Sequence, residues 1–478
     1  MIGLNKIYAL IGVVVAILNF LLLYDDIKTL SSGWEFRCAI TTFILISYTI
    51  LAWKRMRLKF YSPVFFLLFS MYMFHLSSVS VIGMDTSRVY DSHQMLYRYG
   101  DNLGFYGFLY SELFIEIFII GYFFFCKKSF VGFNESEVID ETDEKSLIVS
   151  RKIGLTLFSV VVAPELYYDI LRILAKAAGG YSAMNGENDY TFYGIPLGYF
   201  TKLFMPSIII ILSSYRNNYK KFVKIAIFAT LYFVILMFFT GRKGDTIQSL
   251  IPILFLYFYF FKPKFRLSYL IVIYFGLYFM IVVSNTRNYA MTSDFKENVI
   301  NSIERASPIK DVCLEMGGTI KAPIQAIMAI PSSGDFQYGL SYPAAAIYSI
   351  SCGVHFPLES IKKYALFNVY LSQTERGTLA NETVAFMGGS IIAEFYWNFG
   401  WVGLPFALLL AWLALNYEKR LIENVRKPIT FALYVAFLHF LLRWTRGYFA
   451  DVVWQSLFIY MTIKLFVYCK YKSLKRNL

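Results

Sequence analysis

Long apolar runs follow one another along most of the chain, separated by short polar connections. A helix needs about 20 apolar residues to cross the roughly 30 Å hydrocarbon layer of a membrane, so each run predicts a transmembrane helix. The runs are continuous rather than alternating, which favours helices over strands. The twelve predicted helices cover residues 5–24, 38–53, 61–82, 103–126, 153–174, 196–214, 222–240, 246–261, 267–284, 399–417, 429–444 and 452–469.

The stretch from Asn285 to about Phe399 is the only long segment between these runs that stays largely polar. It divides the chain into residues 1–284 with helices 1 to 9, a loop over 285–398, and residues 399–478 with helices 10 to 12. Within the loop, Leu340 to Gly353 is apolar but too short to span a membrane, which predicts a surface or re-entrant helix. The pattern therefore predicts an all-α polytopic membrane protein with one large loop.

Composition supports this class. The 478 residues are 57% hydrophobic and 16% charged, and the mean hydropathy is +0.52, well above that of soluble domains. The net charge of +13 could suggest nucleic acid, but the basic residues punctuate apolar runs, which excludes that partner. The five cysteines are scattered without CxxC or Cys/His spacing, so no metal site is predicted. The first run lacks a small-residue cleavage site and predicts a retained helix.

Charge predicts the orientation. With the N-terminus in the cytoplasm, the inner connections hold about three times as many Lys and Arg residues as the short outer loops, which follows the positive-inside rule. Both termini are then cytoplasmic, and the loop over 285–398 faces outward. The connection over 127–152 is rich in acidic residues and is typical of a solvated linker.

One short outer connection, Thr240 to Asp245, carries two cations, Arg242 and Lys243, against this charge bias. One interpretation is a glycine turn in which Arg242 pairs with Asp245 or with lipid headgroups. The other is an anion site, because a guanidinium on a short loop offers fixed planar donors to phosphate oxygens.

Three further arginines are predicted at the same membrane depth. Arg287 follows the ninth helix, while Arg443 and Arg446 lie at the outer end of the eleventh, three residues apart and so on one helical face. A single arginine at a helix end is usually a residue that snorkels to the interface. Four of them on the less basic side predict a shared polyanion, for which a lipid pyrophosphate is the natural candidate.

The end of the loop carries a second cluster of candidates. Glu394 is either the partner of an arginine or a group that binds a sugar hydroxyl. Asn398 suits the N-cap of the tenth helix, and Gly400 and Gly403 would let a neighbouring backbone approach closely. The aromatic residues here are predicted to belong to the interfacial belt, and they are Tyr396, Trp397 and Trp401.

A hydroxyl nucleophile needs a general base, and residues of the loop offer several. His355 could act near neutral pH, although a lone histidine is more often structural. The carboxylates that could serve instead are Glu315, Glu375, Glu382, Asp311 and Glu394. Cys313 and Cys352 could pair on the oxidising side. In the fifth segment, which also holds Pro164 and Glu165, Asp169 and Arg172 are spaced to form an ion pair.

Three short motifs resemble those of Wzy-type O-antigen or oligosaccharide repeat-unit polymerases. They are Phe239-Thr240-Gly241-Arg242-Lys243-Gly244-Asp245, the E-x-x-x-N-F-G-x-x-G run from Glu394 to Gly403, and Arg443-x-x-Arg446-Gly447. The resemblance implies a GT-C-like membrane glycosyltransferase that needs no metal and no other cofactor. It also implies a location in the bacterial inner membrane, a substrate linked to undecaprenyl pyrophosphate at the outer face, and a chain-length regulator protein as a partner.

This resemblance implies roles for the candidate residues. The catalytic group would comprise Arg242, Arg287, Arg443, Arg446, Glu394 and His355, with the arginines stabilising the pyrophosphate leaving group. Substrate binding would fall to Lys243, Asp245, Asn398, Gly400, Gly403 and Glu382. An O-antigen ligase and a lipid-linked oligosaccharide flippase stay open as alternatives. The flippase would need cations that line a central cavity, whereas few charges, such as Lys202 and Lys464, fall within the predicted helices.

Overall fold

The computed structural model describes residues 3–84, 100–126, 144–184, 191–192, 195–264, 266–286, 295–332, 334–350, 359–372 and 389–476. Almost all of these residues are helical, and the exception is an antiparallel pair of two-residue strands, β1 (Thr191–Phe192) and β2 (Ile195–Pro196). The predicted all-α class is therefore confirmed.

The helices of the first half are α1 (Leu4–Lys28), α2 (Trp34–Arg55), α3 (Pro63–His75), α4 (Ser77–Met84), α5 (Asp101–Phe125), α6 (Glu144–Ala183), α7 (Leu197–Ser214), α8 (Tyr219–Thr240), α9 (Lys243–Phe261) and α10 (Leu267–Thr286). Those of the second half are α11 (Phe295–Arg305), α12 (Pro308–Gly317), α13 (Lys321–Ala329), α14 (Ser341–Ile350), α15 (Glu359–Ala365), α16 (Phe367–Ser372), α17 (Ile391–Phe399), α18 (Phe406–Glu423), α19 (Pro428–Trp444) and α20 (Phe449–Arg476). Short 3-10 turns cover Gly318–Ile320 and Gly400–Gly403.

Seven helices among the described residues are long and apolar enough to cross a membrane. An eighth span results if α3 and α4, which meet at a bend of 52°, count as one. The apolar parts of α7, α9 and α19 are shorter, at 10–17 residues. Each of the twelve predicted segments overlaps at least one of these helices, although the bounds differ. Large apolar side chains lie on the outside of several spans, as Val272 and Phe275 do in α10, which is the arrangement that lipid solvates. The helices thus agree with a multi-pass membrane protein.

The chain divides into two compact units. Unit 1 combines residues 1–133, 313–420 and 441–454, and unit 2 combines residues 134–312, 421–440 and 455–478. The boundaries predicted at 284/285 and 398/399 follow the change in polarity along the sequence. The two units are a different kind of division, because each of them combines stretches that are far apart in the sequence.

Unit 1 is built on the packing of α1, α2 and α5. The indole of Trp53 stacks on the ring of Tyr122 with centroids 5.0 Å apart, and the Tyr48 hydroxyl donates to the carbonyl of Tyr8. Gly107 lets α13 approach α5, since a Cβ atom there would lie 2.4 Å from Ile324 Cγ1. This part of the predicted polar loop is therefore integrated into the core of unit 1.

Unit 2 contains α6, which has Pro164 in its interior, packed along α7. Arg172 Nη1 lies 3.2 Å from Asp169 Oδ1, so the predicted pairing of these two residues in the fifth segment is confirmed. The hydroxyl of Tyr232 also donates to Asp169. Such pairing inside a helical bundle offsets the cost of burying charge.

Two sequence-based expectations near the end of the predicted loop are wrong. The tenth predicted segment begins at 399, but the chain forms a separate helix, α17, then a 3-10 turn, and α18 begins only at Phe406. Tyr396 and Trp397 do not belong to an aromatic belt, because both are buried inside unit 1. Trp397 packs against the rings of Phe367 and Tyr370. Trp401 is 40% exposed and is the only one of the three that an interface could reach.

Candidate functional site

Helix α17 carries the Glu394 motif, and its first turn is capped by Ser390. The Ser390 hydroxyl accepts hydrogen bonds from the backbone N–H groups of Ile392 and Ala393, which satisfies two of the free donors at a helix start. Asn398, expected as an N-cap, instead lies near the C-terminal end of this helix. That expectation is wrong because the helix begins eight residues earlier. Glu394 therefore falls in the first turn of a capped helix.

Asn398 ties the end of α17 to a neighbouring segment. Its side-chain amide donates to Ser341 Oγ and to the Glu394 carbonyl, and its oxygen accepts from the backbone N–H of Gly339. The side chain is fully buried. This network holds the last turn of the helix in place.

His75 is a site residue that the sequence analysis missed. Its Nδ1 lies 3.1 Å from the Met71 carbonyl, and its Nε2 lies 2.6 Å from Ser390 Oγ. A carbonyl only accepts, so Nδ1 carries the proton and Nε2 accepts from the Ser390 hydroxyl. The imidazole thus fixes the residue that caps α17. No local pattern could have indicated this pairing, because the two residues are 315 positions apart.

The Glu394 carboxyl is buried, with 1% of the residue exposed. Its Oε2 accepts from Trp444 Nε1 at 2.8 Å and from the backbone N–H of Phe449 at 3.1 Å, while Oε1 has no hydrogen-bond partner among the described residues. The expected ion pair between Glu394 and an arginine is not formed with any arginine that the structure describes, and Arg287 lies outside the described residues. The donors are neutral groups, and they belong to the residues on either side of the Arg446 turn.

Burial raises the pKa of the Glu394 carboxyl from 4.5 to about 8. The hydrogen bonds from Trp444 and Phe449 act in the opposite direction, and the charge of Asp451 adds to the increase. Both protonation states are therefore populated near neutral pH. A carboxyl in this condition can exchange a proton at the pH at which cells work.

Arg443 and Arg446 lie on a turn and not on one helical face. Helix α19 ends at Trp444, and the backbone N–H of Arg446 donates to the carbonyl of Arg443 at 3.0 Å. The expectation of a shared face is wrong because the helix stops between the two residues. Arg443 is half-buried and Arg446 is exposed, and the Arg446 guanidinium lies 5.8 Å from the ring centroid of Phe74. The turn presents Arg446 outward.

Two of the three sequence motifs meet at this turn. A Cβ atom on Gly389 would lie 2.5 Å from the Gly447 carbonyl oxygen. The segment that leads into α17 is therefore in close contact with the backbone of the arginine turn. The Glu394 side chain binds the same turn from the side of Trp444 and Phe449. Unit 1 therefore joins a buried carboxyl and an exposed guanidinium in one local structure.

Asp451 is a second residue that the sequence analysis missed. It is half-buried in the first turn of α20. A Cβ atom on Gly447 would lie 3.5 Å from Asp451 Oδ2 and 3.6 Å from Arg443 Cγ. The sequence does carry a signal for Asp451, which lies four residues after Gly447. A helix that starts directly after the turn places a carboxylate of its first turn close to that turn.

Gly400 and Gly403 occupy crowded positions after α17. Gly400 has φ +60°, where L side chains are strained, and it faces the ring of Phe336. A Cβ atom on Gly403 would lie 2.8 Å from the Phe395 carbonyl oxygen and 2.6 Å from the Tyr110 hydroxyl. The predicted close backbone approach is confirmed at Gly403.

The third motif lies in unit 2, where it connects α8 to α9. Gly241 has φ +75° and its N–H donates to the Met237 carbonyl at 2.7 Å, which ends α8 with a left-handed cap. Arg242 is half-buried, and Lys243, the first residue of α9, is buried. The glycine turn itself is thus confirmed, while the pairing of Arg242 with Asp245 lies outside the described residues. Asp245 lies in α9, and its side chain is outside the described part of the chain.

Several candidates fall outside the described residues: Arg287, Cys352, His355, Glu375 and Glu382. The proposed pairing of Cys313 with Cys352 is therefore also outside. Of the remaining carboxylates, Asp311 accepts from the backbone N–H of Ser307 at 2.6 Å and caps α12. Glu315 is half-buried in the same helix. In the described part of the chain, no group of three or more His, Cys, Asp or Glu residues is arranged to hold a metal ion.

The contact between Gly389 and Gly447 can be tested by substitution. Gly389→Ala places a methyl group against a backbone carbonyl, and this overpacking is expected to cost about 1–3 kcal/mol and to displace the arginine turn. The expected result is a lower thermal midpoint in detergent. Gly318→Ala is the matched control, because no atom lies within 4 Å of its added Cβ. Equal behaviour of the two variants would contradict the contact.

The comparisons with known proteins agree with these motifs. Neither the curated proteins nor the solved structures provide a match to the chain. The family model described as O-antigen polysaccharide polymerase Wzy matches residues 8–477, nearly the whole length. The chain belongs to the O-antigen polysaccharide polymerase Wzy family.

Proposed function

We propose that the protein polymerises oligosaccharide repeat units linked to undecaprenyl pyrophosphate into O-antigen or a similar surface polysaccharide. Family membership supports the polymerase role. The observation that carries the assignment of the site is the contact of the Glu394 helix with the Arg446 turn in unit 1. The proposed location is the outer face of the bacterial inner membrane, with both termini in the cytoplasm and, as in the sequence-based expectation, about twelve spans in a GT-C-like arrangement.

The proposed reaction transfers the growing glycan to the next repeat unit. A hydroxyl oxygen of the incoming unit forms a bond to the anomeric carbon of the growing chain, and the bond from that carbon to the pyrophosphate oxygen breaks. Undecaprenyl pyrophosphate leaves with the bonding electrons, and a base takes the hydroxyl proton. The reaction needs stabilisation of negative charge on the leaving group, and arginine can supply it without a metal ion.

Arg446 is the best placed of the four proposed arginines, because it is exposed on a turn that buried contacts hold on both sides. Arg443 lies beside it, and we propose that Arg446 and Arg443 bind the pyrophosphate. Arg242, in the turn before α9 of unit 2, and Arg287 keep the anion-binding roles that the sequence resemblance implies. Lys243, Asp245, Asn398, Gly400, Gly403 and Glu382 keep their proposed roles in binding substrate or shaping its site.

Asp451 is our proposed general base. It is half-buried at the turn that carries Arg446, so it can reach a hydroxyl beside the pyrophosphate. Glu394 is more deeply buried, and its two accepted hydrogen bonds suit it to hold the turn. His355 is the alternative base.

Two rival functions make different predictions in cells. Loss of a polymerase leaves a single repeat unit on the final acceptor, whereas loss of an O-antigen ligase leaves none. A flippase would need cations along a path through the membrane, and the exposed Arg446 at a helix-ending turn favours a site at one face. A chain-length regulator is a proposed partner that would set the number of units.

The decisive experiment supplies purified protein with a lipid-linked repeat unit in a metal-free buffer containing a chelator. A ladder of products that differ by one repeat unit is the expected result. Products formed only after addition of Mg²⁺ or Mn²⁺ would contradict metal independence. Transfer of one unit to a lipid A core with no ladder would identify a ligase instead.

A further inference from the structure

Two glutamates lie side by side in the interior of the helix bundle of unit 1. Glu112 and Glu116 are one turn apart on α5 and so share a face. Both are nearly fully buried, with 1% and 2% of each residue exposed. Carboxylates are rare inside membrane helices because burying them is costly, and those that occur usually serve a function.

Helices α1 and α2 close this position. The side-chain nitrogen of Asn19, in α1, donates to Glu116 Oε1 at 2.7 Å and lies 3.4 Å from the carbonyl of Thr41, in α2. Asn19 is itself only 1% exposed. Its amide therefore lies directly against the glutamate pair and joins three helices around it.

Within the described part of the chain, three oxygen atoms at this position have no hydrogen-bond partner: Asn19 Oδ1, Glu112 Oε1 and Glu116 Oε2. The Asn19 oxygen can only accept, and the same is true of both carboxylates in their ionised form. Buried polar atoms are almost always satisfied. Three such acceptors on residues joined by the Asn19–Glu116 hydrogen bond and the shared face of α5 thus indicate a ligand that donates or carries positive charge.

The described side chains around the pair supply no positive charge. Among the described residues, no Lys, Arg or His forms an ion pair with Glu112 or Glu116. The other titratable groups that face the pair are the Cys38 thiol in α2 and the Tyr72 hydroxyl in α3. The Tyr72 hydroxyl is bonded to Thr49 Oγ1 at 2.9 Å. All of these groups are neutral or acidic, so positive charge has to come from solution.

We propose that Asn19, Glu112 and Glu116 form a binding site for a monovalent cation, taken from solution as H⁺ or Na⁺. Oxygen-only ligands suit a hard cation, whereas Ca²⁺ needs six to eight oxygens and Mg²⁺ keeps a water shell that this closed site excludes. The bound cation neutralises the pair and stabilises the packing of α1, α2 and α5. The site is distinct from the Arg446 turn and does not depend on the proposed reaction.

Thermal unfolding of the purified protein in detergent tests the Na⁺ form. At pH 8.5 and constant ionic strength, replacing choline by 0.3 M Na⁺ is expected to raise the midpoint by about 3 °C through mass action. The double variant Glu112→Gln, Glu116→Gln should lose this response, because neutral amides need no counter-ion. Glu304→Gln, at an exposed position of α11, should keep it.

The H⁺ form gives a different pattern. The midpoint of the wild type should fall between pH 6 and pH 9 without regard to Na⁺, by more than that of the double variant. Equal pH and Na⁺ responses in wild type and double variant would overturn the proposal. A response to Ca²⁺ or Mg²⁺ alone would overturn it as well.

Chemical labelling keeps the test independent of whether the variants fold. A hydrophobic carbodiimide reacts with protonated carboxyls inside the membrane, and mass spectrometry should locate the adduct at Glu112 or Glu116 of the wild-type protein. Higher pH should slow labelling in the H⁺ form, and Na⁺ at constant pH should slow it in the Na⁺ form. No labelling, or labelling that neither change affects, contradicts the site.

Discussion

Arg446→Ala is expected to lower the rate of polymer formation by about 100-fold or more, with normal amounts of protein in the membrane. The exposed guanidinium on the α19 turn offers planar donors to the pyrophosphate oxygens that gain charge as the bond breaks. Removal of one such preorganised donor typically costs about 2.7–4 kcal/mol of transition-state stabilisation. Arg446→Lys keeps the positive charge but lacks the planar, paired N–H donors of a guanidinium, so it should recover only part of the rate.

The readout is the length of lipid-linked or surface glycan in a strain that lacks the native gene. Single repeat units should still reach the final acceptor, because their transfer requires a different enzyme. Arg266→Ala changes an exposed arginine after α9 and serves as the control that should support normal polymer. Long-chain glycan at wild-type levels in the Arg446→Ala strain would remove this residue from the mechanism, and Arg242→Ala would then test the turn of unit 2.

The sequence predicted the membrane class and the approximate position of the long helices, because apolar runs of this length have few other structures available. It placed the start of the tenth helix wrongly. The residues from Ile391 to Gly403 are apolar enough to look continuous with α18, yet they form a separate buried helix and a 3-10 turn. Their burial comes from tertiary contacts with Tyr110 and Phe336, and no local pattern encodes such contacts.

The candidate site was predicted in part. Glu394 and Arg446 stood out as charged groups in apolar surroundings, which is a signal that the sequence carries directly. The bonds that hold them in place involve Trp444, the Phe449 backbone and the His75–Ser390 pair. These partners are common residue types without local spacing to their targets, so only the folded chain identifies them. The ion pair expected for Glu394 is not formed with any described arginine for the same reason, because proximity in membrane depth does not determine which donor faces a carboxyl.

Glu394→Leu is expected to destabilise the protein and stop polymer formation together. The substitution leaves the Trp444 indole N–H and the Phe449 backbone N–H buried without an acceptor, and each such loss costs about 1–3 kcal/mol. Both donors flank the turn that presents Arg446, so the guanidinium loses its fixed position. The thermal midpoint and the length of the glycan should fall in the same variant.

Glu394→Gln separates positioning from proton transfer. An amide oxygen can still accept from Trp444 and Phe449, so a positioning role predicts activity close to wild type, whereas a role as general base predicts its loss. Asp451→Asn is the paired variant and should abolish activity with little change in the thermal midpoint, because no protein hydrogen bond to its carboxylate is seen in the described part of the chain. Activity retained in Asp451→Asn but lost in Glu394→Gln would reverse the two assignments.

The pH dependence of stability gives an independent measure of the Glu394 environment. Its pKa is about 8 in the folded protein and 4.5 when exposed, so the folded state holds the proton more tightly. The resulting stabilisation is fully present below pH 4.5 and is lost as the pH rises through 8, by an amount on the order of 5 kcal/mol. The wild-type midpoint should therefore fall between pH 5.5 and pH 9, and Glu394→Gln should fall less, since its amide does not titrate. A variant that loses as much stability as the wild type over this range would show that Glu394 is ionised throughout and that its buried position does not hold a proton.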